Sequence, residues 1–107
     1  MSNLLPTIKN RKDFLKISKN GLLSPQYGLV LQSEINNEHD MRIGITATKK
    51  IGKANIRNKA KRIMRELARK IIINGKINSY YVLIAKTSLL EEKFDKLLLE
   101  LKGKING

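Results

Sequence analysis

Residues 80–85 read YYVLIA, a short run that is almost wholly apolar. Such a run is typical of a β-strand that is buried on both faces of its sheet. It follows a helical stretch, which in turn follows a strand of alternating polarity, so this part of the chain contains a strand–helix–strand unit. In a chain of 107 residues this unit predicts helices packed on one small mixed sheet.

Further strands are indicated upstream of this run. The stretch YGLVLQSEI, residues 27–35, predicts one strand, and a short extra strand fits near residues 22–24. In MRIGITAT, residues 41–48, apolar and polar side chains alternate, which predicts a half-buried strand. A polar turn separates the two longer strands, and we expect them to pair antiparallel.

Three helices are indicated by capping residues and apolar spacing. The first occupies residues 10–21, between an asparagine cap and a glycine stop. The second covers residues 54–73 and ends at an Asn-Gly pair. The third opens at a capping box formed by Ser88 and Glu91 and closes at Gly103.

Length and composition limit the class of protein. The 107 residues suffice for one domain, which we expect to be an α/β (α+β) sandwich of three helices on three to four strands. The absence of cysteine removes disulfides and thiolate metal sites and fits a reducing compartment. No apolar run approaches the roughly 20 residues of a membrane span, and no signal-peptide pattern opens the chain, so we expect a cytoplasmic protein.

Charge is the feature that points to a partner. The formal net charge is +13, and ten of the 22 basic residues fall in residues 49–70, beside a single acid, Glu66. Collecting like charge in one segment costs self-repulsion in the folded state, so we expect a polyanion outside the protein to offset it. Nucleic acid is the first candidate, and an anionic membrane is the second.

The second helix separates into an apolar stripe and an adjacent stripe rich in guanidinium groups. A charged helix face is ordinarily only solvated, but such a face usually interleaves acids as i, i+4 partners, and here Glu66 alone is available. The stripe therefore favours phosphate contact, for which the planar fork of arginine suits bidentate bonding. In the preceding loop, KKIGK, a glycine either lets a ligand approach the backbone or only turns the chain.

The segment KKIGKANIRNKAKRIMRE closely resembles the signature of the bacterial ribonuclease P protein subunit. In that family the pattern is a Lys-Lys pair, a glycine two residues later, Arg-Asn-Arg, Lys-Arg and a further Arg. A DF pair in the first helix, an R[IV]G strand and a late strand ending in Ile-Ala-Arg/Lys extend the resemblance over nearly the whole chain. The matching positions are Lys49–Lys50, Gly52, Arg57–Asn58, Lys61–Arg62, Arg65, Asp13–Phe14, Arg42–Ile43–Gly44 and Ile84–Ala85–Lys86.

This resemblance implies a fold, a function and partners. The fold is an α/β sandwich with a left-handed β–α–β crossover, an exception to the usual hand. The family's protein assists a catalytic RNA that removes the 5′ leader from precursor tRNA, and the RNA, which uses Mg²⁺, holds the active site. The partners are therefore that RNA and the leader-bearing precursor tRNA, and the protein is expected to lower the Mg²⁺ requirement. We expect the protein alone to be a monomer and to bind no Mg²⁺ tightly.

The resemblance, together with the charge pattern, assigns two groups of residues. The residues expected to bind RNA are Lys49, Lys50, Lys53, Arg57, Asn58, Lys59, Lys61, Arg62, Arg65 and Arg69. Those expected to form a cleft for the single-stranded leader, between the first helix and the sheet, are Phe14, Ile17, Tyr27 and Lys50. Each base stacked in such a cleft would contribute about 1–3 kcal/mol. Asn58 is also a candidate oxygen ligand for Mg²⁺ beside RNA phosphates.

Three positions depart from the family pattern. Arg-Asn-Arg reads Arg57–Asn58–Lys59 here, which keeps the charge and loses one planar fork. Four residues after the Phe14 position, where the family often has a second aromatic residue, this chain has Ser18. At a strand position that often carries another aromatic residue, it has Gln32. We therefore expect a less aromatic cleft, in which aliphatic side chains or Tyr27 compensate, although Tyr27 also fits a core or edge position.

Other functions stay open at this point. A ribosomal or RNA-chaperone protein of similar fold would share the charge but would prefer neither a leader nor a catalytic RNA. A sequence-specific DNA binder fits less well, because the cationic stripe offers only Asn58 for adenine readout. The acids Glu34, Glu38 and Asp40 surround His39, and we interpret this cluster as a polar turn rather than as a catalytic site.

Overall fold

The computed structural model describes residues 7–8, 11–35, 41–71 and 79–106. In these ranges three α-helices and four β-strands follow one another in the order α1, β1, β2, β3, α2, β4 and α3. Their bounds are α1 Arg11–Asn20, β1 Leu22–Pro25, β2 Leu29–Ile35, β3 Arg42–Thr46, α2 Ala54–Lys70, β4 Ser79–Ala85 and α3 Phe94–Asn106. The predicted fold class, three helices on a small mixed sheet, is confirmed.

The four described strands form one sheet in the order β1-β2-β4-β3. β4 is central, antiparallel to β2 and parallel to β3, so the apolar run takes the position expected of a strand buried on both faces. The prediction that β2 and β3 pair with each other is wrong, because Leu31 of β2 and Ile45 of β3 both pair with Leu83 of β4. A buried strand needs backbone partners along both edges, and β2 and β3 supply them. The hand of the β3–α2–β4 crossover stays a prediction.

Helices cover both faces of the sheet. On one face α2 and α3 enclose the larger core, where Leu31, Leu83, Met64 and Leu101 are at most 4% exposed. On the other face α1 buries Ile17 completely in a smaller cluster with Tyr80 and Val82. The sheet is therefore the middle of three layers, which explains why β4 is apolar on both sides.

The two ends of α3 differ from the prediction. The capping box does not form, because Ser88 has helical backbone angles (φ −82°, ψ −2°) and its side chain makes no cap hydrogen bond. The chain forms a single 3-10 turn at this point, and α3 begins only at Phe94. Gly103 does not end α3 either; the additional turn brings Ile105 against the larger core, which favours continuing the helix.

Three predicted features lie outside the described residues: the asparagine cap of α1, the Asn-Gly pair after α2, and most of the polar turn between β2 and β3. Within the described ranges, no helix combines the length and the apolar character that crossing a membrane requires.

Candidate nucleic-acid interface

The amphipathic pattern of α2 is realised in the structure. The helix buries Ala60, Met64, Leu67 and Ala68 in the larger core. The polar positions lie outside this core: the neutral Asn58 and the cations Lys59, Arg62, Arg65 and Arg69 are exposed, and the cations Arg57 and Lys61 are half-buried. We call these seven residues the α2 basic face. Burial of the apolar stripe forces the cations outward together, which gives the surface its high density of positive charge.

Few of these cations are neutralised within the helix. Arg69 Nη1 lies 2.9 Å from Glu66 Oε1, so the single acid of α2 pairs with the last arginine of the face. Arg57 differs, because its Nε is buried and has no hydrogen-bond partner among the described residues. A buried donor without a partner costs free energy in the folded protein.

The loop before α2 adds charge at the start of the helix. Lys49, Lys50 and Lys53 are exposed, and the first turn of α2 contains no acid. Gly52 has φ +148°, and a Cβ at this position would lie 3.2 Å from the side chain of Ile56. The glycine is therefore required to turn the chain, and the approach of a ligand to its backbone stays a prediction. Because a helix N-terminus is itself a partial positive charge, this end of α2 is suited to an anion.

α1 crosses the opposite face of the sheet from β3 to β2. At its first turns Phe14 lies on Gly44 so closely that a Cβ on the glycine would be 2.7 Å from Phe14 Cε2. In its middle Ile17 packs in the cluster that contains Val82 of β4. At its end the side chain of Gln32 on β2 donates hydrogen bonds to the carbonyl groups of Ser18 in α1 and of Gly21, which follows α1. Each of three strands thus holds a different part of α1.

A row of half-buried side chains lies beside α1 on the same face of the sheet. Val30, Ile84 and Thr46 are paired across β2, β4 and β3, so they project to one side of the sheet together. Phe14 and Ile84 pack against the same buried cluster, which places this flank of α1 next to the row. Ser18 follows Phe14 by one helical turn and is exposed. We call the space between these two α1 side chains and the row the α1 groove.

The α1 groove and the α2 basic face meet at the edge of β3. A cavity of about 240 Å³ lies there and is lined by Thr7, Ile8, Phe14, Ile43, Gly44, Ile45 and Arg65. Ile8 contributes because its backbone N–H donates to the Ile43 carbonyl at 3.1 Å, which holds this short segment on the β3 edge. The cavity, called the β3-edge cavity below, therefore has an aromatic ring from α1 on one side and a guanidinium group from α2 on the other.

The predicted cleft residues have different positions. Phe14 is half-buried and lines the β3-edge cavity, and Lys50 is exposed four residues beyond the end of β3. Tyr27 is 50% exposed in the β1–β2 turn, an edge position. The expectation that Ile17 lines the cleft is corrected, since it is fully buried and supports α1 from beneath. Sequence reasoning missed Ile8, whose placement on β3 depends on a pairing distant in the chain.

Of the residues considered for a metal or for protein catalysis, the structure describes Asn58 and Glu34. Asn58 lies among the cations of α2, which oppose binding of Mg²⁺ to the protein alone. Glu34 is paired with Lys16, whose Nζ is 3.7 Å from the carboxylate. In the described part of the chain no three His, Cys, Asp or Glu side chains are grouped as metal ligands. The other members of the acid cluster lie outside the described residues.

Comparison with known proteins gives one consistent result. The Ribonuclease P family matches residues 5–106 of this chain. The ribonuclease P protein component of Gluconacetobacter diazotrophicus is 35% identical over 104 residues, which cover 95% of this chain and 90% of that protein. The component from Erythrobacter litoralis is 37% identical over 102 residues, covering 94% and 84%.

Solved structures agree with the sequence relatives. The ribonuclease P protein of Thermotoga maritima superposes with a TM-score of 0.77 at 29% identity and covers 92% of this chain and 94% of that one. The ribonuclease P protein of Staphylococcus aureus superposes with a TM-score of 0.74, also at 29% identity, and covers 96% of each chain. The likeness therefore extends through all three layers of the fold.

Proposed function

The chain belongs to the ribonuclease P protein family, a component of a ribonucleoprotein endonuclease in tRNA processing, and from this membership we propose how it acts. The α2 basic face binds the RNA subunit of the enzyme, and the α1 groove binds the single-stranded 5′ leader of precursor tRNA. The observation that carries this proposal is the β3-edge cavity, because its lining includes Phe14 of the α1 groove and Arg65 of the α2 basic face.

The chemistry of each surface suits the part of the RNA assigned to it. Arginine and lysine side chains on a rigid helix contact phosphates and position RNA without reading its sequence. A single strand is held by cations along its backbone and by side chains on which its bases stack. In the β3-edge cavity the ring of Phe14 is available to a base, and Arg65 is available to the adjoining phosphate. A leader crossing the β3 edge would therefore contact both kinds of group.

Following the family resemblance, we assign hydrolysis of the phosphodiester to the RNA subunit and Mg²⁺. When bound by the RNA, Mg²⁺ supplies the Lewis acid and the activated water. The contribution of the protein is positive charge where RNA phosphates crowd together. That charge substitutes for part of the diffuse Mg²⁺, so the protein lowers the Mg²⁺ concentration at which the enzyme works. Asn58, which is exposed on α2, would contact such an ion only together with RNA oxygens.

The test is cleavage of a precursor tRNA by a bacterial ribonuclease P RNA at limiting Mg²⁺, with and without this protein. We expect the protein to restore cleavage at the mature 5′ end. The double variant Arg57→Ala/Arg65→Ala should lose this effect, and the matched variant Lys93→Ala/Lys102→Ala, which removes two exposed cations next to or within α3, should retain it. Tight binding to RNA without stimulated cleavage would instead indicate an RNA chaperone.

A further inference from the structure

Gln32 is a buried polar residue at the junction between α1 and the sheet. It is 4% exposed, and it projects from β2 towards α1. Its Nε2 donates hydrogen bonds to the Ser18 carbonyl at 3.2 Å and to the Gly21 carbonyl at 3.3 Å. One side chain of the sheet therefore binds the last turn of α1 and the residue that follows it.

These hydrogen bonds satisfy groups that the helix itself leaves unpaired. α1 ends at Asn20, so the Ser18 carbonyl has no donor four residues further along the helix. Gly21 lies so close that a Cβ on it would be 2.7 Å from Gln32 Cγ. The end of α1 therefore rests directly on the Gln32 side chain, with its partial negative charge facing an amide donor.

We infer that Gln32 is a positioning residue for leader recognition, an inference that rests on the proposed function. One of the two carbonyl groups that it holds belongs to Ser18, an exposed residue one helical turn after Phe14 on the α1 side of the groove. Fixing that backbone on β2 sets the distance between the α1 wall and the row on the sheet. It also sets the tilt of α1, and hence the position of Phe14 one turn earlier. Small displacements of such positioning groups reduce binding and rate strongly.

Gln26 provides a matched control for this inference. It is also a buried glutamine, 7% exposed, and its Nε2 donates to a helix carbonyl, that of Leu97, at 3.4 Å. That carbonyl belongs to α3, which packs on the face of the sheet away from the α1 groove. Replacing Gln26 by leucine removes one hydrogen bond between the β1–β2 turn and α3, whereas replacing Gln32 by leucine removes the two hydrogen bonds that hold the end of α1 beside the groove.

The experiment compares wild type, Gln32→Leu and Gln26→Leu in holoenzyme reconstituted with a bacterial ribonuclease P RNA. For each, the Kd of precursor tRNA carrying a leader and the Kd of mature tRNA are measured, and their ratio is the leader preference. We expect Gln32→Leu to lower this preference about fivefold, the factor to which about 1 kcal/mol corresponds. Gln26→Leu should leave it within about twofold, although both lower the unfolding temperature. Gln32→Glu, which keeps the side-chain volume but directs a carboxylate at two carbonyl groups, should lower it further if it folds. Gln32→Met, which keeps an unbranched side chain without a donor, serves if the leucine variant does not fold.

The outcomes separate the inference from the function on which it rests. A wild-type holoenzyme without leader preference would overturn the proposed leader site, and this inference with it. A normal wild-type preference that both leucine variants reduce equally would show that Gln32 acts only through stability. An unchanged preference in folded Gln32 variants would also overturn the positioning role, whereas a selective loss in these variants supports it.

Discussion

At the scale of single residues, Phe14 is the side chain on which the proposed recognition of a base depends most. It is half-buried on Gly44, and its ring lines the β3-edge cavity. Phe14→Leu keeps an apolar contact with the sheet but removes the stacking surface, so affinity for leader-bearing precursor tRNA should fall by about 1–3 kcal/mol. Affinity for mature tRNA should not change. Both are measured as Kd values with the holoenzyme.

The neighbouring residue supplies the control for that measurement. Leu15 is 55% exposed and belongs to the same turn of α1, but it does not line the β3-edge cavity. Leu15→Ala should therefore preserve leader affinity. Equal losses in the Phe14 and Leu15 variants would mean that the helix as a whole, and not a stacked ring, is responsible.

Two glycines give opposite predictions for stability. Gly28 has φ +93°, and a Cβ on it would lie 2.8 Å from Leu97 Cδ2, whereas a Cβ on Gly103 would meet no atom within 4 Å. Gly28→Ala should thus lower the free energy of unfolding by about 1–3 kcal/mol. Gly103→Ala, inside α3, should raise it by about 0.5–1 kcal/mol. Urea unfolding followed by circular dichroism measures both, and destabilisation by Gly103→Ala would contradict the helical position of that residue.

At the scale of elements, α2 should determine how strongly RNA binding depends on salt. Each phosphate contact that is removed should reduce the slope of log Kd against log salt by about 0.7–0.9. We expect this reduction for Arg62→Gln and for Arg65→Gln, measured with ribonuclease P RNA at constant Mg²⁺. Arg69→Gln should have a smaller effect, since Arg69 is already paired with Glu66.

The control for these slopes is a cation outside the α2 basic face. Lys102 is exposed on α3, so Lys102→Gln should leave the slope unchanged. If it lowered the slope as much as the arginine variants, the protein would attract RNA through its net charge and not through a defined face.

Sequence patterns predicted which segments form helices and strands better than they predicted which elements pack or pair with one another. The two stripes of α2 could be predicted because burial and charge alternate with the helical period within one segment. The pairing of β2 and β3 with β4 could not, because strand order depends on contacts distant in the chain. The helical spacing likewise indicated that Ile17 faces a core or a groove, but it could not show that the side chain is fully buried. The sequence showed Gln32 only as a position where the family often has an aromatic residue. Its buried hydrogen bonds exist only once α1 lies on β2.

At the scale of the whole molecule, a three-layer fold has to accommodate a net charge of +13 at its surface. The apolar residues are used on both faces of the sheet, so the cations are left at the surface. The ion pair between Arg69 and Glu66 is exposed, and pairs of that kind stabilise a fold little. The free protein therefore retains self-repulsion that bound RNA would relieve, which couples its stability to its function.

This coupling predicts that salt has opposite effects on the free protein and on its RNA complex. Between about 50 mM and about 500 mM NaCl, screening should raise the unfolding temperature of the protein alone, by about 4–8 °C for each kcal/mol of repulsion removed. Over the same range its affinity for ribonuclease P RNA should fall. A variant with Lys93, Lys96 and Lys102 changed to glutamine, all exposed and away from the α2 basic face, should unfold at a higher temperature in low salt and respond less to added salt. An unfolding temperature that decreased with salt would mean that ion pairs outweigh repulsion in the free protein. The coupling between its stability and RNA binding would then be contradicted.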